Sequence, residues 1–305
     1  MKRVLIVGSG GQDGRLLDQF QRADGCAVTG IRREGAGPAL GDRAGIAETI
    51  RTTQPAEIYY LAAYHHSSQE HTAVDPPALF ARSFEVHVTG LIHYLDAIRL
   101  HSPSTRLFYA ASSLVFGEPP APMQTEETPF NPRCAYGISK AAGVHCCRHY
   151  RQTHGVFAAV GILYNHESHL RQERFVAQRI IQAALRIRRG EQEQLTLGDL
   201  SAQIDWGYAP DFVDAMTRIL ALDTPDDFIV ATGELHSVRE FVELVFARLG
   251  LDWRRHVVED PALLRRKKGA MKGDASRLRQ LTGWRPSVTF AKMVVEILSS
   301  ARREA

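Results

Sequence analysis

The sequence lacks long apolar runs and a strong excess of one charge. None of its apolar stretches approaches the roughly 20 residues that a membrane-spanning helix needs, so we expect no membrane partner. The 37 Lys and Arg residues nearly balance the 34 Asp and Glu residues, which leaves a formal net charge of +3 and no basic field for nucleic acid. The expected partner is therefore a small molecule.

Cysteine is also scarce. The four cysteines are Cys26, Cys134, Cys146 and Cys147, and their spacing is not that of metal ligands. The adjacent pair could form only a strained disulfide, so we expect free thiols in a reducing compartment and no bound metal. Residues 1–3 lead into a predicted strand without a signal-peptide pattern, which favours a cytoplasmic location.

The pattern of apolar residues predicts the fold class. With 305 residues, 44% of them hydrophobic, the chain can bury a large core. The predicted strands of the first half are Val4–Val7, Ala27–Ile31, Glu57–Ala62, Arg106–Ala111 and Phe157–Tyr164. The predicted helices between them are Arg15–Ala23, Ile46–Thr53, Phe84–Leu100 and Tyr136–His154. Because parallel strands need such crossovers, we predict an α/β fold with a Rossmann-type doubly wound parallel sheet.

The second half is predicted to be mostly helical. Its predicted elements are the helix Phe175–Arg189, the strand Gln194–Leu197, and the helices Asp211–Leu222, Val238–Leu249 and Phe290–Ala301. We therefore predict one domain over residues 1–165, with returns from the C-terminal half, and an interleaved smaller lobe over residues 166–305. The Pro-rich stretch Pro119–Pro132 is interpreted either as a lid beside a site or as a plain connection.

A glycine-rich turn follows the first predicted strand. It reads Gly8-Ser9-Gly10-Gly11-Gln12-Asp13-Gly14 and stands directly before an amphipathic helix. Glycines at 8, 11 and 14 permit a tight turn and let backbone N–H groups approach a pyrophosphate at the positive end of the helix. This placement predicts a dinucleotide site in the 1–165 domain that includes Gly8, Gly11, Gln12, Asp13 and Gly14.

The end of the second predicted strand distinguishes the two nicotinamide cofactors, because an acidic residue there would bind the ribose diol and repel a 2′-phosphate. The sequence has Arg32 and Arg33 instead, which favours NADP(H) over NAD(H). Two solvated arginines beside Glu34 are the alternative. We also expect Asp42 to hydrogen-bond the adenine, and the run Leu61-Ala62-Ala63 to line the path of the cofactor.

Tyr136 and Lys140 form the candidate catalytic pair. They stand four residues apart at the start of a predicted helix and so share one face. A neighbouring ammonium group is expected to lower the pKa of the phenol, which could then exchange a proton with a sugar oxygen. The preceding strand delivers Ser112 and Ser113 to its carboxyl end, where a hydroxyl can polarise the reacting oxygen.

These motifs together resemble the extended short-chain dehydrogenases and, among them, the GDP-mannose 4,6-dehydratase family. The most specific stretches are GQDG at 11–14, PFNPRCAYGISK at 129–140, GILYNHES at 161–168, DWG at 205–207 and ATGELHSVREFVE at 231–243. The resemblance implies an NADP(H)-dependent enzyme that acts on a GDP-linked hexose. It also implies a homodimer formed through the helices predicted at Phe84–Leu100 and Tyr136–His154.

The resemblance implies roles for individual residues as well. Ser112, Tyr136 and Lys140 would be the catalytic set. The residues expected to hold the nucleotide sugar are Ser113, Asn165, Glu173, Val176 and Arg179, with Arg265 or Arg266 near its pyrophosphate. A solvated basic patch is the alternative interpretation of the last two.

The sequence departs from the family pattern at three places. The family has a Glu base for 4,6-elimination two residues beyond the catalytic hydroxyl residue, and this chain has Leu114 there. The stretch after Arg33 is short, which favours a dimer over a tetramer. Ile204 stands where the family usually carries an Arg before the Asp-Trp-Gly motif, so we expect either a different contact to the diphosphate or a different substrate.

Leucine cannot move a proton, whereas hydride transfer at C4 needs only the cofactor and the Ser, Tyr and Lys set. Glu118, Glu70 or His66 would have to reach the site to restore the elimination. We therefore favour C4 reduction of a GDP-4-keto-6-deoxyhexose. The alternatives are GDP-mannose 4,6-dehydration, 4-epimerisation or 4-oxidation of a GDP-sugar, and a non-catalytic cofactor sensor.

Overall fold

The computed structural model describes residues 1–35, 37–65, 75–263 and 269–304. The strands within these ranges are β1 Arg3–Val7, β2 Ala27–Ile31, β3 Glu57–Tyr60, β4 Arg106–Ala110, β5 Met123–Gln124, β6 Ala158–Leu163, β7 Asn165–Glu167, β8 Leu195–Leu197, β9 Gln203–Tyr208, β10 Asp227–Val230, β11 Leu235–Ser237, β12 Val257–Glu259 and β13 Lys272–Gly273. The α-helices are α1 Gln12–Ala23, α2 Arg43–Thr53, α3 Pro76–Phe84, α4 Gly90–His101, α5 Ala135–His154, α6 Val176–Arg188, α7 Ala209–Ala221, α8 Val238–Arg248, α9 Ser276–Thr282 and α10 Phe290–Glu304. No helix among the described residues is both long enough and apolar enough to cross a bilayer.

A six-stranded sheet forms the centre of the protein. Its order is β10-β6-β4-β3-β1-β2, and every neighbouring pair is parallel. This confirms the predicted fold class. Because β1 lies between β2 and β3, the chain reverses its direction of winding at β1, and a crevice opens at the carboxyl ends of these strands.

Strand residues alternate between two hydrophobic layers, as the period of two requires. Leu5 and Val7 of β1 pack in the layer that contains residues of α2, α4 and α5. Val4 and Ile6 pack in the layer that contains residues of α1, α7 and α9. The sheet is therefore covered by helices on both faces, which explains why its strands read as continuous apolar runs.

The second half contributes to both parts of the molecule. Strand β10, which the sequence analysis missed, lies at an edge of the central sheet. A separate core joins α6, α8 and α10 around Trp206 of β9. Beside it, a three-stranded sheet has the order β11-β9-β7, and β12 pairs with β8.

The helix predicted at Phe84–Leu100 is wrong in its details. The chain forms α3, then a π-helix over Glu85–Thr89, then α4. A single π turn leaves the chain helical throughout, so the apolar periodicity does not reveal it.

The Pro-rich stretch Pro119–Pro132 is anchored to the body of the protein. Its strand β5 pairs in parallel with β13. The Ile229 N–H of β10 donates to Glu126 Oε1 at 2.9 Å, which attaches the stretch to the edge of the central sheet. This segment is thus a connection that is held at two points.

Candidate active site

The glycine turn is shaped by close backbone approach. Gly8 has φ +94°, and a Cβ there would lie 2.7 Å from the Ala62 nitrogen. A Cβ at Gly14 would lie 2.5 Å from the Gly8 carbonyl oxygen. Only glycine therefore fits at either position, and the turn brings the start of α1 against the chain that follows β3.

The N-terminus of α1 is available to an anion. Gly11 is its N-cap residue, and no side chain there hydrogen-bonds the first turn. The first N–H groups of a helix have no partner within the helix, and they carry the positive end of its dipole. The narrow glycine cradle and this helix start fit the pyrophosphate of a dinucleotide.

A cavity of about 450 Å³ lies beside the turn. The residues around it are Ser9, Arg15, Asp18, Gln19, Arg22, Gly30, Arg32, Glu34 and Gly35. Arg32 is thus at the cavity, whereas Arg33 is not among the described residues that line it. Arg15 could not be predicted as a cofactor residue from the sequence, because it lies in α1 and not at the end of β2. Arg15, Arg22 and Arg32 all line the cavity. Arg22 pairs with Asp18 at 2.9 Å, and Arg15 and Arg32 together fit a phosphate group.

The other predicted cofactor residues lie in two regions. Asp42 is the N-cap residue of α2, and its side chain accepts a hydrogen bond from the Gly45 N–H at 2.9 Å. Residues 61–63 directly follow β3, with the Ala62 backbone against Gly8. The run 61–63 therefore borders the crevice, and the roles assigned to all these residues stay predictions.

Gln12 and Asp13 connect the turn to the second half of the chain. Asp13 Oδ2 lies 2.9 Å from His166 Nε2, and the Gln12 amide donates to the His166 carbonyl oxygen at 3.2 Å. Burial would raise the pKa of Asp13, but the charge of His166 and hydrogen bonds from His166 and Gln12 lower it to about 2. Burial lowers the pKa of His166, but the charge and the hydrogen bond of Asp13 raise it. The pKa of His166 is therefore higher than its ordinary value. The pair therefore acts as an ionic link between the two halves.

Helix α5 presents Tyr136 and Lys140 on one face. Cys134 caps the helix, its Sγ accepting from the Gly137 N–H at 3.4 Å. Lys140 is only 1% exposed, and its Nζ donates to the Ala110 carbonyl oxygen at 2.7 Å. The same Nζ lies 5.8 Å from the centre of the Tyr136 ring. The lysine is therefore fixed by the end of β4 and not by the phenol.

The predicted lowering of the Tyr136 pKa is wrong for this structure. Burial raises the pKa of Tyr136 to about 12, against smaller lowering effects that include the charge of Arg171 and a hydrogen bond with Ser112. Burial also lowers the pKa of Lys140 to about 7, so this amine loses part of its charge near neutral pH. The phenol consequently keeps its proton at neutral pH.

Ser112 and its neighbours follow β4. Ser112 Oγ accepts a hydrogen bond from the Leu114 N–H at 3.3 Å, which caps a short 3-10 turn over Ser113–Val115. Ser113 is 4% exposed. The Leu114 carbonyl abuts the start of α5, since a Cβ at Gly137 would lie 2.5 Å from that oxygen. Leu114 thus lies between Ser112 and the helix that carries Tyr136.

Of the three residues considered as substitutes for the missing Glu, only Glu118 belongs to the described part of the chain. Glu118 is on the surface and forms an ion pair with Arg133 at 3.0 Å. His66 and Glu70 lie outside the described residues. The only one of the three that can be located therefore points to a surface role.

Apart from Ser113, the predicted sugar-binding residues lie at or beyond position 165. Glu173 and Arg179 line a cavity of about 380 Å³, together with Ala183, Arg186, Gln192, Leu195, Thr196 and Leu263. Val176 begins α6 and packs against the second core. Asn165 is exposed at the start of β7. Arg265 and Arg266 lie outside the described residues.

Arg171 is a further candidate residue, which no local sequence pattern singles out. Its guanidinium carbon lies 3.7 Å from the centre of the Phe175 ring, and its Nε lies 3.7 Å from Glu167 Oε2. Its charge contributes to lowering the pKa values of both Asp13 and Tyr136. The charge of Arg171 therefore acts on both the glycine turn and Tyr136.

Comparison with known proteins supports the same interpretation. The family model "GDP-mannose 4,6 dehydratase" matches residues 37–297. GDP-mannose 4,6 dehydratase 1 of Arabidopsis thaliana is 36% identical, with 99% of this chain and 91% of the relative aligned. The human GDP-mannose 4,6 dehydratase is 31% identical, with 97% and 90% aligned.

Two solved structures show the likeness of fold. RMD from Pseudomonas aeruginosa, complexed with NADPH, has a TM-score of 0.86 and 23% identity, with 100% of both chains covered. UDP-glucose 4-epimerase from Thermus thermophilus, complexed with NAD, has a TM-score of 0.80 and 23% identity, with 99% of both chains covered. The resemblance drawn from the motifs is confirmed, and the chain belongs to the GDP-mannose 4,6-dehydratase family of nucleotide-sugar enzymes.

Proposed function

We propose that this protein is an NADPH-dependent reductase that converts a GDP-4-keto-6-deoxyhexose into the C4 alcohol. The observation that carries the proposal is Leu114, which stands in the position of the family's elimination base while Ser112, Tyr136 and Lys140 are all present. Loss of one general base typically costs roughly 10²- to 10⁴-fold in rate. Reduction at C4 does not need that base.

The proton affinity of Tyr136 supports the reductive direction. A phenol with a pKa of about 12 is protonated at neutral pH, so it can donate a proton to the oxygen that develops negative charge at C4. Bound NADPH would supply the hydride to C4. Ser112 would donate a hydrogen bond to the same oxygen, and Lys140 would hold the nicotinamide ribose.

The cofactor assignment rests on the shape and charge of the first half. The glycine cradle and the start of α1 would hold the pyrophosphate. Arg32 lines the neighbouring cavity and would bind the 2′-phosphate, which favours NADP(H) over NAD(H). Asp42 and the run 61–63 would complete the adenosine and nicotinamide contacts. Several solved relatives of the fold carry NADPH or NAD.

For the substrate, we propose that Glu173, Val176 and Arg179 hold the GDP group, with Asn165 and Ser113 nearer the sugar. Two of these residues, Glu173 and Arg179, line one cavity, which supports a shared ligand.

We further propose a cytoplasmic homodimer formed through α4 and α5. Light scattering on the purified protein tests the dimer, and a monomer at micromolar concentration would contradict it.

GDP-mannose 4,6-dehydration is the second candidate, because the family match covers residues 37–297. A pair of assays separates the two functions. The reductase oxidises NADPH at 340 nm when the keto sugar is added and leaves GDP-mannose unchanged. The dehydratase converts GDP-mannose to a product lighter by one water without added NADPH.

The variant Leu114→Glu sharpens this test. It returns a carboxylate to the position of the elimination base, so we expect it to gain measurable dehydration of GDP-mannose that the native protein lacks. Leu114→Gln is the matched control, since it has similar size and polarity but no base. Dehydration by the native protein at the rate of the Glu variant would refute the proposal.

A further inference from the structure

Two buried tyrosines donate hydrogen bonds to backbone carbonyl groups of the π-helix Glu85–Thr89. Tyr60 donates to the Val86 carbonyl oxygen at 2.6 Å, and Tyr109 donates to the His87 carbonyl oxygen at 3.2 Å. Both tyrosines are fully buried. A π turn disturbs the regular helical ladder, so these hydroxyls satisfy carbonyls that would otherwise lack good partners.

Two glycines make room for those hydroxyls. A Cβ at Gly90 would lie 2.6 Å from the Tyr60 hydroxyl, and a Cβ at Gly143 would lie 2.2 Å from the Tyr109 hydroxyl. Contacts this short exclude any larger residue without movement of the tyrosines. Residues of β3, β4, α4 and α5 thus all stabilise the π turn at Glu85–Thr89.

The consequence of the π turn is the position of His87, which is completely buried. The Tyr64 N–H donates to His87 Nε2 at 2.9 Å, so that nitrogen carries no proton. The proton must then be on Nδ1, which lies 2.7 Å from Ser139 Oγ and donates to it. Ser139 in turn donates to the Ala135 carbonyl oxygen at 2.8 Å.

This chain of hydrogen bonds needs a neutral imidazole. Burial, with help from the charges of Lys140 and His65, lowers the pKa of His87 to about 2. The ring also packs against Tyr136, with centres 5.1 Å apart and planes at 84°. His87 therefore connects the segment after β3 to the first turn of α5 and touches the ring of the catalytic tyrosine.

We propose that His87 is a positioning residue, which fixes the Tyr136 ring and the first turn of α5 relative to the crevice. The inference rests on Tyr136 as the proton donor of the proposed function, but not on the identity of the sugar. No local sequence pattern singles out His87, because neither the π turn nor the contact with Ser139 is visible in one.

The variant His87→Phe tests the inference, because it keeps an aromatic ring and removes both hydrogen bonds. We expect kcat to fall about 10- to 100-fold, since a displacement of the reacting group by about 1 Å can cost that much. KM for the sugar and the Kd for NADPH, measured by fluorescence, should change by less than about twofold. His87→Asn, which can still donate to Ser139, should recover part of kcat.

His93→Phe is the matched control. His93 lies on α4, and its Nδ1 contacts the Leu40 carbonyl oxygen at 2.9 Å. Its replacement should leave kcat within about twofold of the native value. An equal loss of kcat in both variants, or a loss in His87→Phe that is matched by the loss of NADPH binding, would indicate a structural role only and overturn the inference.

A crystal structure of His87→Phe gives a result that needs no turnover, so it separates this inference from the proposed reaction. We expect the Tyr136 ring to rotate or to occupy more than one rotamer. A ring that superposes on that of the native protein would contradict the inference. If His87→Phe does not fold, Ser139→Ala removes the hydroxyl partner alone and should lower kcat with unchanged NADPH affinity.

Discussion

Replacement of Arg32 or Arg33 by alanine offers a matched pair of variants. The sequence presents the two arginines as equivalent, but only Arg32 lines the cavity beside the glycine turn. Arg32→Ala should therefore weaken NADPH binding, and Arg33→Ala should not. Both side chains belong to exposed residues at the end of β2, so neither change removes buried packing.

The expected loss of NADPH binding free energy in Arg32→Ala depends on how exposed the site is to solvent. A hydrogen bond to a charged group contributes about 1.5–3 kcal/mol, and solvent reduces this for an exposed pair. We expect Arg32→Ala to lose about 1.4 kcal/mol of NADPH binding free energy, which corresponds to a tenfold increase in the Kd for NADPH. NADH lacks the 2′-phosphate, so its Kd should change less than about twofold. Arg15→Ala should act in the same direction as Arg32→Ala, because Arg15 lines the same cavity.

Fluorescence titration with NADPH, NADH and 2′,5′-ADP measures these constants without any sugar substrate. The 2′,5′-ADP arm isolates the phosphate contact from the nicotinamide half. The reasoning is refuted if Arg33→Ala weakens NADPH binding as much as Arg32→Ala does. It is also refuted if Arg32→Ala weakens NADH binding equally, because the arginine would then contact a group that both cofactors share.

Three further predictions concern stability and catalysis. Asp13→Asn should cost about 2 kcal/mol of unfolding free energy at pH 7, because the pKa of Asp13 falls from 3.8 to about 2 on folding; this difference should shrink as the pH falls from about 4 toward 2 in urea titrations. Gly14→Ala should destabilise the protein by about 1–3 kcal/mol in the same assay, whereas Gly11→Ala, whose Cβ would meet only the Gly8 oxygen at 3.5 Å, should cost less. Lys140→Met should lower kcat by roughly 10²-fold or more in the NADPH oxidation assay, and a kcat near the native value would contradict the role given to this lysine.

The sequence was most informative where local pattern and chemistry agree. Strand β1 was predicted within one residue, because its apolar run ends at the glycine turn. The helix that follows ends at Ala23 as predicted but begins at Gln12, three residues before the predicted Arg15. Helix α5 was predicted within one residue at its start and at the observed end. Strand β10 has only four residues and follows a loop with charged side chains, so no periodicity identified it.

Other features depend on contacts between distant residues. The link between Asp13 and His166 joins positions 153 apart in the chain, and no local motif shows it. The spacing of Tyr136 and Lys140 predicted their shared face, but not the pKa of the phenol, since burial is the main cause of its increase. Likewise, the different roles proposed for Arg32 and Arg33 could not be predicted from the sequence, because they depend on where the cavity lies.

Transfer of deuterium from NADPH tests the central claim most directly. The native protein is incubated with GDP-4-keto-6-deoxymannose and NADPH that carries deuterium at nicotinamide C4 on either face, and the sugar is analysed by mass spectrometry and NMR. The account predicts a C4 alcohol with one deuterium at C4 from one of the two labelled cofactors. Protein that binds NADPH but leaves the keto sugar unreduced with both labels, while converting GDP-mannose to the keto sugar, would contradict it.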